Sequence, residues 1–365
     1  MSARLLMLTR RLQRGTLVAG YLALTLSVIA ASAACAASPR PGPPLTVRVA
    51  GNQLVDAHGR TVRLLGVNFS GPEYACIRGL GFFAGPTDAH AIAAMVSWRI
   101  NAVRIPLNED CWLSINGAPA RYSGARYRAA IRAYVARLHS VGLYVILDLH
   151  WNAPGRERAT GQQRMADLDH APAFWSSVAR TFKADPAVVF DLYNEPRYIT
   201  WQCWYRGCVL PGGWRSASMQ ALVDAVRSAG ARQPIIVTGI DSGNNLAAWL
   251  RCRPSDPAHQ LVAGFHVYNF LSCVMAACWN KDAGPVLRSV PVVTSELGEA
   301  DCSDAFIKRF MTWADTAGVS YLGWTWDPYG CAAPALISSW NGRPTPYGEG
   351  LRAHLVTLYR HQRDS

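Results

Sequence analysis

Val188-Val189-Phe190-Asp191-Leu192-Tyr193-Asn194-Glu195-Pro196 begins as an apolar strand and ends in an amide, a carboxylate and a proline. Proline cannot donate to a sheet ladder, so the strand stops at or near Pro196 and presents Asn194 and Glu195 at its end. Val292-Val293-Thr294-Ser295-Glu296 has the same form, an apolar strand delivering a glutamate near its C-terminal end. Two such glutamates point to paired-carboxylate chemistry, provided that one fold brings the two strand ends together.

Working outward, strand-like apolar runs recur at Leu64–Asn68, Ala102–Leu107, Leu143–His150, Val188–Asn194, Pro234–Gly239, Val262–Tyr268, Val292–Glu296 and Tyr321–Trp326. Between them, Ala89–Trp98, Tyr127–Leu138, Ala173–Phe182, Met219–Val226, Asn245–Leu250, Phe306–Ala314 and Gly350–Tyr359 carry apolar residues at three- and four-residue spacing, the period of a helix. Gly142, Gly230 and Gly318 stand where helix C-caps belong, just before the next strand. Most of the strand runs are apolar without clean alternation, as expected when protein covers both faces. Eight strand–helix units in a 365-residue chain that is half apolar predict a single-domain (β/α)8 TIM barrel, an α/β fold. An open doubly wound sheet is disfavoured, because no Gly-x-Gly-x-x-Gly follows the first strand. Thr46-Val47-Arg48-Val49 and the segment through Asp56 to Arg63 alternate and turn as a short N-terminal β-hairpin.

Barrels carry their chemistry at strand C-terminal ends. The polar residues gather there: Arg104 and then Asn108-Glu109-Asp110, His150-Trp151-Asn152, Asn194-Glu195, His266 and Tyr268, Glu296, and Trp324, Trp326 and Asp327. Spacing by two puts His266 with Tyr268, and Trp324 with Trp326, on common faces. A lone buried histidine is usually a satisfied core residue; six strands ending this way at one end form a site. Two carboxylates across a barrel mouth can cleave an acetal, one protonating the leaving oxygen and the other attacking the anomeric carbon or activating water. The nucleophile needs cations and donors that lower its pKa, such as Arg104 and Tyr268, and the acid needs partial burial and the repulsion of its partner. Asn194 is placed to donate to a sugar 2-hydroxyl. Thirteen tryptophans suit a sugar ligand, and Trp151, Trp201, Trp204, Trp214, Trp279, Trp324 and Trp326 lie at strand ends or in the loops beyond them.

Residues 1–34 stand apart. Arg4, Arg10, Arg11 and Arg14 precede the apolar run Thr16–Ala34, closed by small residues, which is the layout of a secretory signal peptide. The run is long for a signal core, so an uncleaved membrane anchor is the competing expectation. Cys35 offers a lipidation position, though without the usual leucine three residues upstream. Residues 35–45 read as a linker, and 46–365 as the catalytic domain. The expected locations are extracellular or periplasmic, with no stable membrane partner unless the N-terminus is retained or lipidated.

The formal charge of +12 is nearly all arginine and scattered, with only Lys183, Lys281 and Lys308 as lysines and no basic run interleaved with aromatics. Nucleic acid is therefore not an expected partner. Cysteines fit an oxidising compartment: Cys203 with Cys208 and Cys273 with Cys278 as local staples, Cys76 with Cys111 and Cys302 with Cys331 if their loops are neighbours, and Cys252 left over. None shows metal-ligand spacing, so neither metal nor cofactor is expected.

Gly66-Val67-Asn68, Arg104, Leu147-Asp148-Leu149-His150, Asn194-Glu195-Pro196, His266-Val267-Tyr268, Ser295-Glu296 and Trp324-Thr325-Trp326 together give the chain, over roughly residues 46 to 360, a resemblance to glycoside hydrolase family 5. These are the cellulase-type retaining (β/α)8 hydrolases. The resemblance implies Glu195 as acid/base and Glu296 as nucleophile, oriented by Arg104 and Tyr268. It further implies His150, Asn194 and His266 on the sugar, and Trp324 as stacking platform followed by a non-proline cis bond, with Trp326 and Trp151 as further supporting residues. The implied partner is a polysaccharide or oligosaccharide, met by a monomer, and the simplest activity is an endo-β-1,4-glucanase. A mannanase, a specialised exo-β-glycosidase or a non-catalytic carbohydrate-binding barrel are the alternatives. The Cys- and Trp-bearing loop Arg197–Trp214 and the segment Asn269–Asn280 are expected to wall the cleft.

Overall fold

The computed structural model describes residues 45–364; the leader, Cys35 and the Ala36–Pro44 linker lie outside the described residues. A hairpin of β1 (Arg48–Ala50) and β2 (Gln53–Val55) comes first. Its turn is at Gly51-Asn52, and Asp56 to Arg63 adds only the Val55–Thr61 bridge, so the pairing is tighter than the alternation suggests. Then come β3 (Leu65–Asn68), β4 (Ala102–Asn108), β5 (Tyr144–Trp151), β6 (Val188–Asp191), β7 (Ile235–Thr238), β8 (Leu261–Tyr268), β9 (Val292–Gly298) and β10 (Ser320–Gly323). All neighbours are parallel, and β10 pairs with β3 to close the barrel. A small outer hairpin, β11 (Ile337–Ser339) with β12 (Arg343–Pro344), follows.

The helices are α1 (Pro72–Ala75), α2 (Ala89–Ser97), α3 (Glu109–Leu113), α4 (Ala125–Ser140), α5 (Ala171–Phe182), α6 (Trp201–Arg206), α7 (Met219–Ser228), α8 (Trp249–Cys252), α9 (Ala276–Leu287), α10 (Ala305–Ala317) and α11 (Pro346–Asp364). Gly318 caps α10 in the left-handed region, and Gly142 and Gly230 take positive φ just past α4 and α7, as their positions predict. Two expectations change. Asn245–Leu250 supplies only the single turn of α8, displaced to Trp249. The segment from Asn269 is not all loop, because α9 starts at Ala276; Trp279, Ala283 and Val286 bury one face at helical spacing, although Gly284 and Pro285 interrupt the pattern. No helix among the described residues is long and apolar enough to cross a membrane.

Alternate strand residues divide between two cores. Val103, Ile105, Val145, Leu147, Val188, Phe190 and Val237 join the helices in the large outer cluster. Ala102, Ile146, Val189, Ile236, Val262, Val293 and Leu322 form a second cluster with Val47, Val49 and Leu54 of the hairpin, which plugs the barrel from below. Side chains two residues on, above this inner layer, therefore point into the mouth: Arg104, Asp148, Asp191 and Thr238. Gly66 is needed where β3 meets β4, since a Cβ there would collide with the Ala102 carbonyl. The two local staples form, and the loops bring Cys76 to Cys111 and Cys302 to Cys331 as well, with Cys252 free and half-buried.

Candidate active site

Strand parity places Arg104 at the centre of the mouth, fully buried. Its Nε donates to Asp191 Oδ2 (2.9 Å), its Nη1 to Asn68 Oδ1 (3.0 Å) and Glu296 Oε1 (2.8 Å), and its Nη2 to Asn194 Oδ1 (2.8 Å). Asp148 Oδ2 completes the ring at 3.1 Å from Nη2. Burial alone would lower the guanidinium pKa, but the carboxylates of Asp148, Asp191 and Glu296 override it and hold the charge.

Glu296 reaches this centre through a bulge. Gly264 pairs with Val293 but His266 pairs with Glu296, so β9 spends one extra residue and its parity flips. Glu296 then faces inward at the level of His266. Tyr268 donates to Glu296 Oε2 at 2.6 Å while Arg104 holds Oε1. Burial would raise the Glu296 pKa; His266, Arg104, His150 and the Tyr268 hydroxyl outweigh it, and the carboxyl lies below its ordinary value.

Glu195 comes from just beyond β6 and is the more exposed of the two glutamates, its side chain 17% accessible against 4% for Glu296. His266 lies between them, its Nδ1 at 3.3 Å from Glu195 Oε1 and 3.6 Å from Glu296 Oε2, while its Nε2 meets Ser295 Oγ at 3.0 Å. One oxygen of each glutamate and a ring nitrogen of His266 all lie within 4.8 Å of one another. Arg104 and Tyr268 each hold one Glu296 oxygen, so protein groups already answer the charge of this carboxylate.

His150 is fixed through Nδ1 to Asp148 Oδ2 (2.7 Å), which raises its pKa against the opposing effect of burial. The Trp324 ring stacks on His150 with centroids 5.3 Å apart and planes 8° from parallel, and Trp324–Thr325 is a cis peptide bond. Trp324 is half-buried. Trp151 is half-buried as well, with the Arg78 guanidinium 5.3 Å from its ring centre, so one of its faces is already covered. Trp326 is elsewhere. It is fully buried, packed edge-on against Trp98 at 4.8 Å, because β10 ends at Gly323 and two-residue alternation does not extend to 326. Trp204 and Trp279 are core residues too, whereas Trp201 and Trp214 are half-buried.

Two contributors carry no local signal. Gln162, on the loop after β5, accepts from Asn194 Nδ2 (3.0 Å) and donates to the Glu195 carbonyl (2.9 Å). Glu73, in α1, accepts from the Gly71 N–H at 2.7 Å, and burial pushes its pKa up to about 7. Asp327, itself pushed to about 7 by burial, feels its charge. An acid whose folded pKa is raised contributes stability that is full below its unfolded value near 4.5 and is lost as pH rises through about 7. Denaturant unfolding should therefore show stability falling from about pH 5 to about pH 8, with Glu73→Gln flattening that slope by ~1–3 kcal/mol. A Glu73→Gln profile parallel to wild type would assign the titration to other groups.

The mouth thus holds one carboxylate anchored as an anion beside a second, more accessible carboxyl, with imidazoles, an amide and an indole face around them. A concavity of about 330 Å³ between Val49, Arg253, His259 and Val290 lies at the opposite, N-terminal end of the barrel.

The family model described as "Cellulase (glycosyl hydrolase family 5)" matches residues 55–330. Endoglucanase E-5 of Thermobifida fusca is 26% identical over 162 residues, 42% of this chain, and the match spans only 29% of that relative's length. A mannan endo-1,4-beta-mannosidase of Streptomyces lividans is 22% identical over 86% of this chain and 77% of its own. Among solved structures, the beta-glucanase SdGluc5_26A of Saccharophagus degradans superposes with a TM-score of 0.68 at 19% identity, covering 87% of this chain and 94% of that one, a likeness of fold.

Proposed function

The chain belongs to the cellulase family, glycosyl hydrolase family 5, and from that premise we propose that it is an exported, monomeric β-glycoside hydrolase acting with retention on a β-linked glucan. The observation that carries this reading is the separation of Glu195 and Glu296, one oxygen of each within 4.8 Å. Retention needs carboxyls ~5–5.5 Å apart, whereas inversion needs ~6.5–9.5 Å to admit a water.

In this mechanism Glu195 protonates the glycosidic oxygen as the bond to the anomeric carbon breaks, and Glu296 attacks that carbon to form a covalent glycosyl-enzyme. Glu195, now a carboxylate, then takes a proton from water, which attacks the same carbon and releases Glu296. The roles follow from the donor sets. Glu296 has Arg104 and Tyr268 to stabilise it as an anion and as a leaving group; the Glu195 carboxyl meets His266 alone among the described residues. Asn194, steered by Arg104 and Gln162, is the candidate for the sugar 2-hydroxyl, with His150 and His266 beside it. The leader-like residues 1–34 and the paired cysteines support export.

The test is product analysis on soluble β-glucans, β-mannans and aryl glycosides, with the anomer read by NMR before mutarotation. Initial release of the β-anomer from a β-glucan is the expected result; the α-anomer would overturn retention, and inertness on the whole panel would overturn the enzyme reading. Mannan is the second reading, favoured by the length over which the mannosidase aligns.

The two tryptophans that follow β10, Trp324 and Trp326, should separate cleanly. Trp324→Ala is expected to lower kcat/KM by ~10- to 100-fold while leaving the unfolding midpoint close to wild type. Trp326→Ala should instead cost ~3–5 kcal/mol of stability. Equal losses of stability would refute Trp324 as a platform.

A further inference from the structure

Glu109 is the first residue of α3 and is wholly inaccessible, yet neither carboxylate oxygen has a hydrogen-bond partner. The one nearby backbone donor, the Ala153 N–H, falls short of hydrogen-bond geometry. A buried, unpaired carboxylate is among the costliest groups a protein can hold, so something must answer its charge. No lysine or arginine among the described residues pairs with Glu109 or with its neighbours Asp110 and Asp167. Asp110 is satisfied by the Ala159 N–H and Asn116, but Asp167, also inaccessible, lies with Glu109 and His170 so that one donor atom from each is within 4.8 Å. His170 Nδ1 points into this space, 3.9 Å from Glu109 Oε1, 3.4 Å from Asp167 Oδ1 and 3.4 Å from the Ala153 carbonyl oxygen.

Three donor groups converge on one small volume, and second partners already hold one of them, Asp167, in place. Asp167 accepts from the His170 N–H through Oδ1 and from Asn152 Nδ2 through Oδ2, leaving a lone pair free on each oxygen. Two carboxylates and an imidazole form a mixed oxygen–nitrogen set, which suits a borderline cation better than the all-oxygen cages of calcium or magnesium. We propose that Glu109, Asp167 and His170 bind one divalent cation of the Mn2+ or Zn2+ class, with the Ala153 carbonyl beside it. The site is separate from the Glu195–Glu296 pair and does not depend on its assigned chemistry. Asn152 and His170 bracket the loop that carries Gln162, so the ion would pin the segment holding Asn194 and the Glu195 backbone.

The alternative is a proton shared between Glu109 and Asp167; burial pushes the Glu109 pKa well up, the direction that such sharing needs. Isothermal titration of chelator-stripped, tag-free full chain with MnCl2 and with ZnCl2 decides between them. One equivalent should bind to wild type and equally to Glu195→Gln/Glu296→Gln protein, with a matching rise in Tm. Glu109→Gln and His170→Gln should each weaken binding at least ~10-fold; His170 is partly exposed and provides the test if Glu109→Gln misfolds. No saturable binding, binding unchanged in either variant, or binding lost only in the Glu195→Gln/Glu296→Gln protein would each overturn the site. A Glu109→Gln protein more stable than wild type, with no metal bound by either, would assign the pair to a shared proton.

Discussion

Glu296→Gln protein is expected to fold and to bind glucan, yet to lose ~10⁴-fold or more in kcat, because no carboxylate remains to form the glycosyl-enzyme. Glutamine is isosteric, and its carbonyl oxygen can still accept from Arg104 or Tyr268. The informative comparison is Glu195→Gln on an aryl glycoside with an acidic leaving group. Such a group departs without protonation, so the first step survives and the glycosyl-enzyme accumulates, giving a burst followed by slow turnover. The Glu296 variant should show no burst on any substrate. If Glu296→Gln retains more than about one per cent of wild-type turnover, or if the burst appears there instead, the role assignments are reversed or wrong.

The sequence and the structure part company at identifiable places. Asn194-Glu195-Pro196 was readable because a proline that ends a buried strand is a local constraint, and barrel geometry then fixes which end it marks. Parity sets Arg104, Asp148 and Asp191 in the mouth, each two residues beyond an inner-core side chain, but the pattern of strand-end residues singled out only Arg104 of the three. Parity fails at Glu296. Strict alternation from Val293 would send Ser295 inward, and only the bulge against β8 brings Glu296 level with His266. A bulge leaves little mark in a single strand, because it is a property of the pair. Trp326 shows the same limit from the other side: grouping it with Trp324 extended a strand's period past the strand's end at Gly323. Glu73 and Gln162 were invisible for a third reason, namely that their contacts depend on the course of long connections, which no local periodicity encodes. The helix α9 was concealed by Gly284-Pro285, although its buried Trp279, Ala283 and Val286 keep helical spacing.

Arg104 carries the largest expected effect on stability. Its five donors answer Asp148, Asp191, Asn68, Asn194 and Glu296, so Arg104→Met would leave three carboxylates facing one another in a dry barrel. Breaking a buried ion pair by removing one partner costs ~3–5 kcal/mol, and a network of three carboxylates belongs at the upper end. Arg104→Lys should recover only part of this, because a single ammonium cannot span partners arranged around a planar fork. The charge origin of the loss has its own signature. Asp191 already lies at about 6 with the guanidinium in place, raised by burial against the pull of Arg104. Without Arg104 the Asp191 pKa rises further above its unfolded value and Glu296 loses part of what holds its pKa down, so the variant regains stability as pH falls and the protons are taken up. Urea unfolding at about pH 5 and about pH 8 should therefore show a smaller gap to wild type at the lower pH, by at least ~1 kcal/mol. A deficit identical at both would mean that Arg104 matters for the volume it fills and not for the charge it places, and the lowered pKa of Glu296 would then have to rest on His266, His150 and Tyr268 alone.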